Sequence, residues 1–207
     1  MKICCLSDIH GHLPKVPDCD LLLLGGDYCR DHKNKVWYFK EFAIWIEELS
    51  ERMQVVGVAG NHDFVAEKDP GCLKPLKWKY LEDSSATYNG LKIYGSPWQP
   101  RFYDWAFNLD EPELEKKWDK IPDDTNILVL HGPPRGYGDL SPYGDVRTGS
   151  PSLTKRMMDL DLKLAIFGHI HAGYGVYKLE GKETILVNAA YVDEEYKPAN
   201  EPIIINL

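Results

Sequence analysis

The chain has 207 residues, of which 43% are hydrophobic and 27% are charged, and its formal net charge is -8. This is the composition of an ordinary globular protein, and the length predicts one domain spanning residues 1–207. The negative charge argues against binding to long nucleic acids or anionic membranes, because both reward clustered lysine and arginine. We therefore expect a small substrate, and the sequence indicates no obligate protein partner.

The cysteines and the apolar runs bear on where the protein resides. The five cysteines are odd in number and lack paired Cys-x-x-Cys spacing, which is typical of reduced cysteines in a cytosolic protein. The apolar stretch that begins at Ile3 ends at Ser7, too early for a signal sequence. No apolar run approaches the ~20 residues of a membrane span. These features predict a cytoplasmic location.

The first third of the chain predicts two strands, a helix and a third strand. Lys2 to Leu6 and Leu21 to Leu24 are short apolar runs typical of buried strands. Apolar residues then recur at helical spacing between Lys35 and Leu49, and Val55 to Ala59 returns to the strand pattern. This order favours a parallel sheet with right-handed crossovers.

The rest of the chain predicts a second sheet and further helices. Asn89-Gly90, between strand-like runs from Thr87 to Tyr94, is a strong hairpin signal. The alternating charges from Glu111 to Lys120 indicate an exposed helix with Trp118 turned inward. Two buried strands and a closing antiparallel set of three are then predicted, in this order, at residues 127–130, 164–167, 173–179, 183–188 and 202–206. The fold class is therefore α/β, with two sheets packed together and helices outside.

Five short polar clusters lie at or just past the ends of predicted strands. They are Asp8-Ile-His10, Gly26-Asp27, Gly60-Asn61-His62-Asp63, His131-Gly132 and Gly168-His169-Ile-His171. Parallel strands would bring these clusters to one edge of the sheet, which is where open α/β sheets place their sites. Carboxylate, imidazole and amide ligands without thiolate suit Mn, Fe, Zn or Ni. The pattern predicts a two-metal hydrolase.

The same residues can be divided between two metal ions. Two divalent ions about 3.5–4 Å apart need one shared anionic ligand, further single ligands and open positions. One shell would contain Asp8, His10, Asp27 and His171, and the other Asp27, Asn61, His131 and His169. Two carboxylates leave such an ion pair with a net charge of about +2, which attracts phosphate inside an acidic protein. We predict two divalent transition metals per chain, Mn or Fe first, with Zn and Ni as alternatives.

His62 lies between the candidate ligand Asn61 and Asp63. We predict that it is not a ligand but the general acid, which protonates the leaving alkoxide while a metal-bridging hydroxide attacks phosphorus in line. Asp63 is predicted to orient the His62 imidazole, and Asp31 is a rival for that role.

At these motifs the chain resembles the calcineurin-like metallophosphoesterase superfamily, whose signature is Asp-x-His, Gly-Asp, Gly-Asn-His-Asp/Glu, His-Gly and Gly-His-x-His. Every element is present here and in that order. The resemblance implies a four-layer α/β/β/α sandwich of two mixed sheets, a dinuclear site at the carboxyl ends of the strands, and hydrolysis of phosphomonoesters or diesters. Asp27 is not followed by the Asp-Arg-Gly of protein Ser/Thr phosphatases, which disfavours a phosphoprotein substrate.

A closer similarity rests on Gly95-Ser96-Pro97-Trp98-Gln99-Pro100, Phe107-Asn108 and His171-Ala172-Gly173-Tyr174-Gly175. These segments look like the metallophosphoesterase-domain-containing (MPPED) branch, which is similar to cyclic-nucleotide phosphodiesterases. Animal members of that branch can carry glycine where this chain has His169, so His169 favours a fuller second metal site. The resemblance implies a phosphodiesterase for small phosphodiesters, with 2′,3′- or 3′,5′-cyclic nucleotides as the expected substrates.

Four residues are candidates for substrate contact: Trp98, Arg101, Asn108 and Arg135. Arginine can hold a phosphate bidentately. The nearby aromatics Phe102, Tyr103 and Trp105 either stack on a base or pack this segment onto the core, and composition does not separate the two.

Other residues and other functions stay open. His12 is a minor candidate for substrate contact, and His32 is predicted to be a solvated loop residue. A phosphomonoesterase or nucleotide pyrophosphohydrolase would use the same metals. A non-catalytic scaffold with this fold belongs to a different class, and the retained ligands and His62 argue against it.

Overall fold

The computed structural model describes residues 1–29, 37–74, 76–143 and 146–207. Its strands are β1 (Lys2–Leu6), β2 (Leu21–Leu24), β3 (Gln54–Gly57), β4 (Lys79–Tyr80), β5 (Ser84–Tyr88), β6 (Leu91–Ser96), β7 (Gln99–Pro100), β8 (Asn108–Leu109), β9 (Ile127–Leu130), β10 (Leu164–Phe167), β11 (Gly175–Lys178), β12 (Ile185–Asn188) and β13 (Ile203–Asn206). Its helices are α1 (Ala43–Ser50), which continues a π-helical stretch at Tyr38–Phe42, α2 (Phe64–Lys68), α3 (Glu111–Trp118) and α4 (Pro151–Asp159), with 3₁₀ turns at Pro70–Cys72 and His171–Gly173.

The strands form two large mixed sheets. The first has the order β13-β1-β2-β3-β4, in which β1 to β4 are parallel and β13 is antiparallel. The second has the order β11-β12-β10-β9-β6-β5, in which the four inner strands are parallel and both edge strands are antiparallel. Inner strands such as β2 and β9 are apolar and buried along their whole length, because both faces of each sheet are covered.

Side-chain alternation along the strands produces four layers. In β1, Ile3 and Cys5 pack between the two sheets, whereas Cys4 and Leu6 face the side covered by α1. The outer face of the second sheet packs against α3 and α4, with Trp118 among its largest buried side chains. The predicted α/β/β/α sandwich is confirmed.

The helices agree with the sequence signals where those were strong. The helix predicted from Lys35 to Leu49 is observed from Tyr38 to Ser50, within the described residues. At the start of α3, Asp110 and Glu113 form a capping box that satisfies backbone N–H groups. Across the described ranges, we find no helix with the length and apolarity needed to cross a membrane.

The strands at the end of the chain differ from the prediction. β11 and β12 form an antiparallel pair, but the expected set of three is wrong, because β13 crosses to the first sheet and pairs with β1. β1 would otherwise be an edge strand with unpaired backbone groups. The hairpin prediction is confirmed: Asn89 and Gly90 have φ values of 46° and 77°, as a type I′ turn requires.

The two sheets meet at the edge where their parallel strands end. Just past β1, the Ser7 N–H donates to the Ala189 carbonyl at 2.9 Å, and the Tyr191 N–H donates to the Ser7 carbonyl at 2.9 Å. The segment after β12 is thereby attached to the segment after β1. The polar clusters that follow β1, β2, β3, β9 and β10 therefore meet at one edge.

Candidate active site

The candidate metal ligands converge at this shared edge of the sheets. The His171 Nε2 atom lies 3.3 Å from Asp8 Oδ1, and the His10 Nε2 atom lies 3.7 Å from Asp27 Oδ2. The His131 Nε2 atom lies 3.5 Å from the same Asp27 oxygen. Asp27 is thus adjacent to histidines of both predicted shells, the position expected of a bridging ligand.

The second group of ligands surrounds one amide oxygen. Asn61 Oδ1 lies 2.7 Å from both His131 Nε2 and His169 Nδ1. His131 Nδ1–H donates to the Gly25 carbonyl at 2.8 Å, so a neutral ring presents the lone pair of Nε2 to this oxygen. Two acceptors at that separation repel each other, and a bound cation would remove the repulsion.

Several buried polar atoms at the site lack partners. Both ring nitrogens of His10 and the amide nitrogen of Asn61 are buried with no hydrogen-bond partner among the described residues. Leaving such a group unsatisfied costs about 1–3 kcal/mol. Unsatisfied ring nitrogens beside two carboxylates fit a metal centre better than a packed core.

Burial keeps most of the histidines neutral, as metal ligation requires. It lowers the pKa of His10 and of His131 below the usual value, and it lowers the pKa of His169 to about 3. His171 differs, because although burial opposes its charge, the hydrogen bond and negative charge of Asp8 raise its pKa.

Burial raises the pKa of both carboxylates, but their neighbours give the two groups opposite net shifts. Burial, and then the charges of Asp8 and Asp63, raise the pKa of Asp27 well above its usual value. Burial would also raise the pKa of Asp8, but its hydrogen bond with His171 and the surrounding imidazoles lower it. Cations bound between these groups would stabilise both as anions.

The backbone at the site is held in an uncommon conformation. Left-handed φ values are rare for residues other than glycine, and they concentrate at functional sites. Four candidate ligands adopt them: Asp8 (52°), His10 (40°), Asp27 (54°) and His169 (64°).

Two glycines of the motifs make room for these carboxylates. A Cβ atom at Gly168 would lie 1.8 Å from Asp8 Oδ2, and one at Gly60 would lie 2.3 Å from Asp27 Oδ1. Neither separation is possible for a real side chain, so the backbone can approach the carboxylates this closely only at glycine.

Asp63 has a structural role instead of the predicted one. It is fully buried, and its carboxylate accepts hydrogen bonds from the N–H groups of Gly60 (2.7 Å), Asp27 (2.9 Å) and Tyr28 (3.1 Å) and from the Tyr38 hydroxyl. Burial raises its pKa to about 6 in spite of these bonds.

The prediction that Asp63 orients the His62 imidazole is therefore wrong. Among the described residues, the groups bound to the Asp63 carboxylate are loop amides and the Tyr38 hydroxyl, and the His62 ring is not one of them. The rival Asp31 and the predicted loop residue His32 lie outside the described residues.

His62 is adjacent to the ligand cluster. Its backbone N–H donates to Asp27 Oδ1 at 2.7 Å. Its ring centroid lies 4.7 Å from that of His10 and 4.6 Å from that of Trp105. One ring nitrogen of His62 lies within 4.8 Å of ligand atoms of His10 and Asp27. His62 is therefore close enough either to coordinate a bound metal ion or to act on a group held by one.

A cavity of about 360 Å³ lies over the cluster. Its polar lining includes candidate ligands and the predicted acid: Asp27, Asn61, His62, His169 and His171. Its aromatic lining comes from two loops and the C-terminal segment: Phe102, Trp105, Tyr143 and Tyr196. The cavity thus joins a site for an anion to a site for an apolar or aromatic group.

Arg101 is the one predicted substrate contact that lines the cavity within the described residues. Its guanidinium Nε–H donates to Asp110 at 2.7 Å, in an ion pair that is exposed to solvent on both sides. Arg135 is exposed and donates to the Arg147 carbonyl at 3.3 Å, away from the cavity lining.

Trp98 and Asn108 support the cavity wall from outside. Trp98 Nε1–H donates to Asp83 at 3.1 Å, and the Lys117 ammonium lies 4.0 Å from the centre of its ring. Neither Trp98 nor Asn108 is among the described residues that line the cavity, and their role as substrate contacts stays a prediction. Asn108 holds the aromatic loop, because its amide donates to the Phe102 carbonyl at 3.0 Å.

Tyr196 is a cavity residue that the sequence did not indicate. Tyr196 lies in a polar segment without a motif. Its place in the cavity lining is visible only in the three-dimensional structure. His12, a minor candidate for substrate contact, instead donates from Nε2 to the Tyr196 carbonyl at 3.1 Å.

The chain is similar to proteins of known family. A sequence profile described as calcineurin-like phosphoesterase matches residues 1–173. The "Metallophosphoesterase domain-containing protein 1" of Homo sapiens is 34% identical over 236 residues, which covers 100% of this chain and 71% of the human protein. The Mus musculus protein of the same name matches with the same values.

Solved structures resemble the fold. TT1561 of Thermus thermophilus has a TM-score of 0.60 at 14% identity, covering 90% of this chain and 88% of that protein. The Phosphopantetheinyl Hydrolase (PptH) of Mycobacterium tuberculosis has a TM-score of 0.57 at 12% identity, with 90% and 88% covered. At these identities the likeness concerns the fold alone.

Replacing Asp63 with alanine is expected to destabilise the metal-free protein by about 3 kcal/mol, because several buried donors lose their acceptor at once. Denaturant unfolding of the metal-free protein measures this loss. Asp63→Asn, which keeps one carbonyl oxygen, should lose less. If Asp63→Ala had unchanged stability but a reduced kcat, the result would instead indicate that Asp63 takes part in catalysis.

Replacing Asp193 with alanine is expected to weaken Mn binding about tenfold. The Asp193 carbonyl accepts a hydrogen bond from His171 Nδ1–H at 2.8 Å, and its side chain holds the turn by accepting from the N–H groups of Glu195 and Lys197, each at 2.9 Å. Calorimetric titration with Mn gives the affinity. Asp193→Asn retains a turn acceptor and should bind as the wild type does; equal binding by Asp193→Ala would contradict the role of the turn.

Proposed function

Because the chain belongs to the calcineurin-like phosphoesterase family, we propose that it is a metal-dependent phosphodiesterase that hydrolyses small phosphodiesters. Family membership and the clustered ligand residues support a metal-dependent phosphoesterase. We further propose that the protein prefers diesters to monoesters. The expected substrates are 2′,3′- or 3′,5′-cyclic nucleotides. The observation that carries it is a small cavity that combines the ligand cluster, His62 and an aromatic wall.

Two divalent ions, with Mn or Fe preferred, would be held by the converging residues. Asp8, His10, Asp27 and His171 would hold one ion, and Asp27, Asn61, His131 and His169 the other. When bound, such ions supply positive charge to the phosphoryl oxygens and a nucleophile at neutral pH.

His62 would donate the proton that the leaving oxygen needs. It lines the cavity, and its position is fixed by the hydrogen bond from its backbone to Asp27. Trp105 covers one side of its ring, with centroids 4.6 Å apart, and so limits access of water to the imidazole. A proton supplied there assists most when the leaving group is a poor one, such as a ribose hydroxyl.

The size and charge of the cavity favour a small monoanionic diester. A volume of about 360 Å³ lies at the lower end of small-molecule sites, which suits a mononucleotide and not a polymer. Among the described lining residues Arg101 is the only lysine or arginine, and its guanidinium is already paired with Asp110. Glu194 adds a negative charge. A monoester carries a second negative charge, for which these walls offer little compensation.

A side-by-side assay tests the ester preference. With Mn, bis-p-nitrophenyl phosphate is expected to exceed p-nitrophenyl phosphate in kcat/KM by about tenfold or more, equivalent to at least ~1.4 kcal/mol of transition-state binding. Enzyme treated with a chelator provides the control and should regain activity when Mn is restored. Clear preference for the monoester would make the protein a phosphomonoesterase, and no activity with no bound metal would favour a scaffold.

A His62→Ala variant distinguishes a role of His62 as general acid from a role as metal ligand. It is expected to keep both metals and to lose about 10²- to 10⁴-fold in kcat on a cyclic nucleotide. The loss should be much smaller with bis-p-nitrophenyl phosphate, because p-nitrophenolate leaves without protonation. Metal analysis accompanies the kinetics, and a variant that has lost a metal ion would identify His62 as a ligand.

A further inference from the structure

The turn at residues 193–197 holds Tyr196 in an unusual conformation. The Asp193 N–H donates to the Lys197 carbonyl at 2.9 Å, and an antiparallel bridge joins Val192 to Pro198. Within this closed turn Tyr196 has a φ of 61°, in the left-handed region that disfavours a side chain. Glycine or asparagine would occupy such a position at lower cost, so the tyrosine side chain itself calls for an explanation.

The ring of Tyr196 lies against the ligand cluster. Its centroid is 4.7 Å from that of His10, 5.7 Å from that of His171 and 5.8 Å from that of His62. Tyr196 is 36% exposed, and it lines the cavity. One part of the ring therefore contacts the imidazoles and the remainder is available to a bound molecule.

Trp105 reaches the same imidazole from a different part of the chain. Its ring centroid lies 4.6 Å from that of His62 and 5.3 Å from that of Phe102. The loop that carries it is anchored by the Asn108 amide, which donates to the Phe102 and Tyr103 carbonyls, each at 3.0 Å. Both Trp105 and Tyr196 thus contact His62 and line one cavity.

We propose that Tyr196 and Trp105 together select substrates that carry a planar ring able to reach these two side chains when the phosphate lies at the ligand cluster. This inference rests on the proposed function, because it places the phosphate at the ligand cluster. Aromatic faces stack on flat conjugated groups, whereas a saturated ring of similar size presents hydrogens on both faces and stacks poorly. A pair of rings beside the anion site therefore discriminates by shape, independently of any hydrogen bonds to the ligand.

Tyr196 belongs to a segment that lies outside the family match at residues 1–173. It belongs to none of the five polar clusters that carry the candidate ligands. The rival explanation is that Tyr196 only packs against His10 and keeps this candidate ligand in place. That role would affect metal and phosphate binding, and it would not distinguish planar from saturated ligands.

Equilibrium binding to the Mn-loaded protein separates these explanations without relying on turnover. The probes are inorganic phosphate, phenylphosphonate and cyclohexylphosphonate, measured by calorimetry. The wild type is expected to bind phenylphosphonate about tenfold more tightly than cyclohexylphosphonate. Tyr196→Leu and Trp105→Leu should each remove most of this preference while leaving phosphate binding unchanged, and Tyr196→Phe should retain the preference because it keeps the ring.

Tyr88→Leu is the matched control, since Tyr88 lies on the edge strand β5 and its hydroxyl donates to the Asp20 carbonyl at 3.1 Å, away from the cavity. It should bind all three probes as the wild type does. Equal binding of the two phosphonates by the wild type would overturn the proposal. Loss of metal and of all three probes together in Tyr196→Leu would also overturn it. Failure of the proposed function alone would appear as phosphonate selectivity without hydrolysis of any diester.

Discussion

Two carboxylates buried next to each other impose the constraint on which the site depends. Asp8 and Asp27 have almost no exposure, yet they lie among imidazoles that burial mostly keeps neutral. Burial first, and then the charges of Asp8 and Asp63, raise the pKa of Asp27, so ionising both carboxylates requires compensating charge. A site that supplies two carboxylates and several mostly neutral imidazoles as ligands is suited to divalent cations. The left-handed backbone at Asp8 and Asp27, and the glycines packed against them, maintain this arrangement.

Support for this arrangement comes from residues that do not face the cavity. Asp63 binds the amides of Asp27 and Gly60, so one buried carboxylate fixes the loops after β2 and β3 relative to each other. The turn at residues 193–197 has a similar function on the other side, because the Asp193 carbonyl fixes His171 and the turn also carries Tyr196. The chemistry at the cluster and the shape of the cavity are therefore coupled through the same short segment.

The sequence predicted the layers of the fold well, because continuous apolar runs and their order along the chain are local signals. It failed for β13, since a short apolar strand carries no information about which of two sheet edges it will join. It also failed for Asp63: adjacency to His62 in the sequence suggested contact, but the chain turns so that the Asp63 carboxylate faces the loop amides. Trp98 was assigned to the cavity for its aromatic character, whereas Asp83 and Lys117 hold it outside.

By itself the sequence determined the family, the kinds of metal-binding side chain and their order, because ligand chemistry depends on residue type and the motifs are short and local. Only the tertiary structure decided which residues line the cavity over the ligand cluster. Trp105, Tyr143 and Tyr196 come from segments far apart in the chain and have no common spacing, so their meeting at one cavity depends on how the two sheets and their loops pack. That packing places Tyr196 beside His62, and the linear order of residues does not encode this contact in any local pattern.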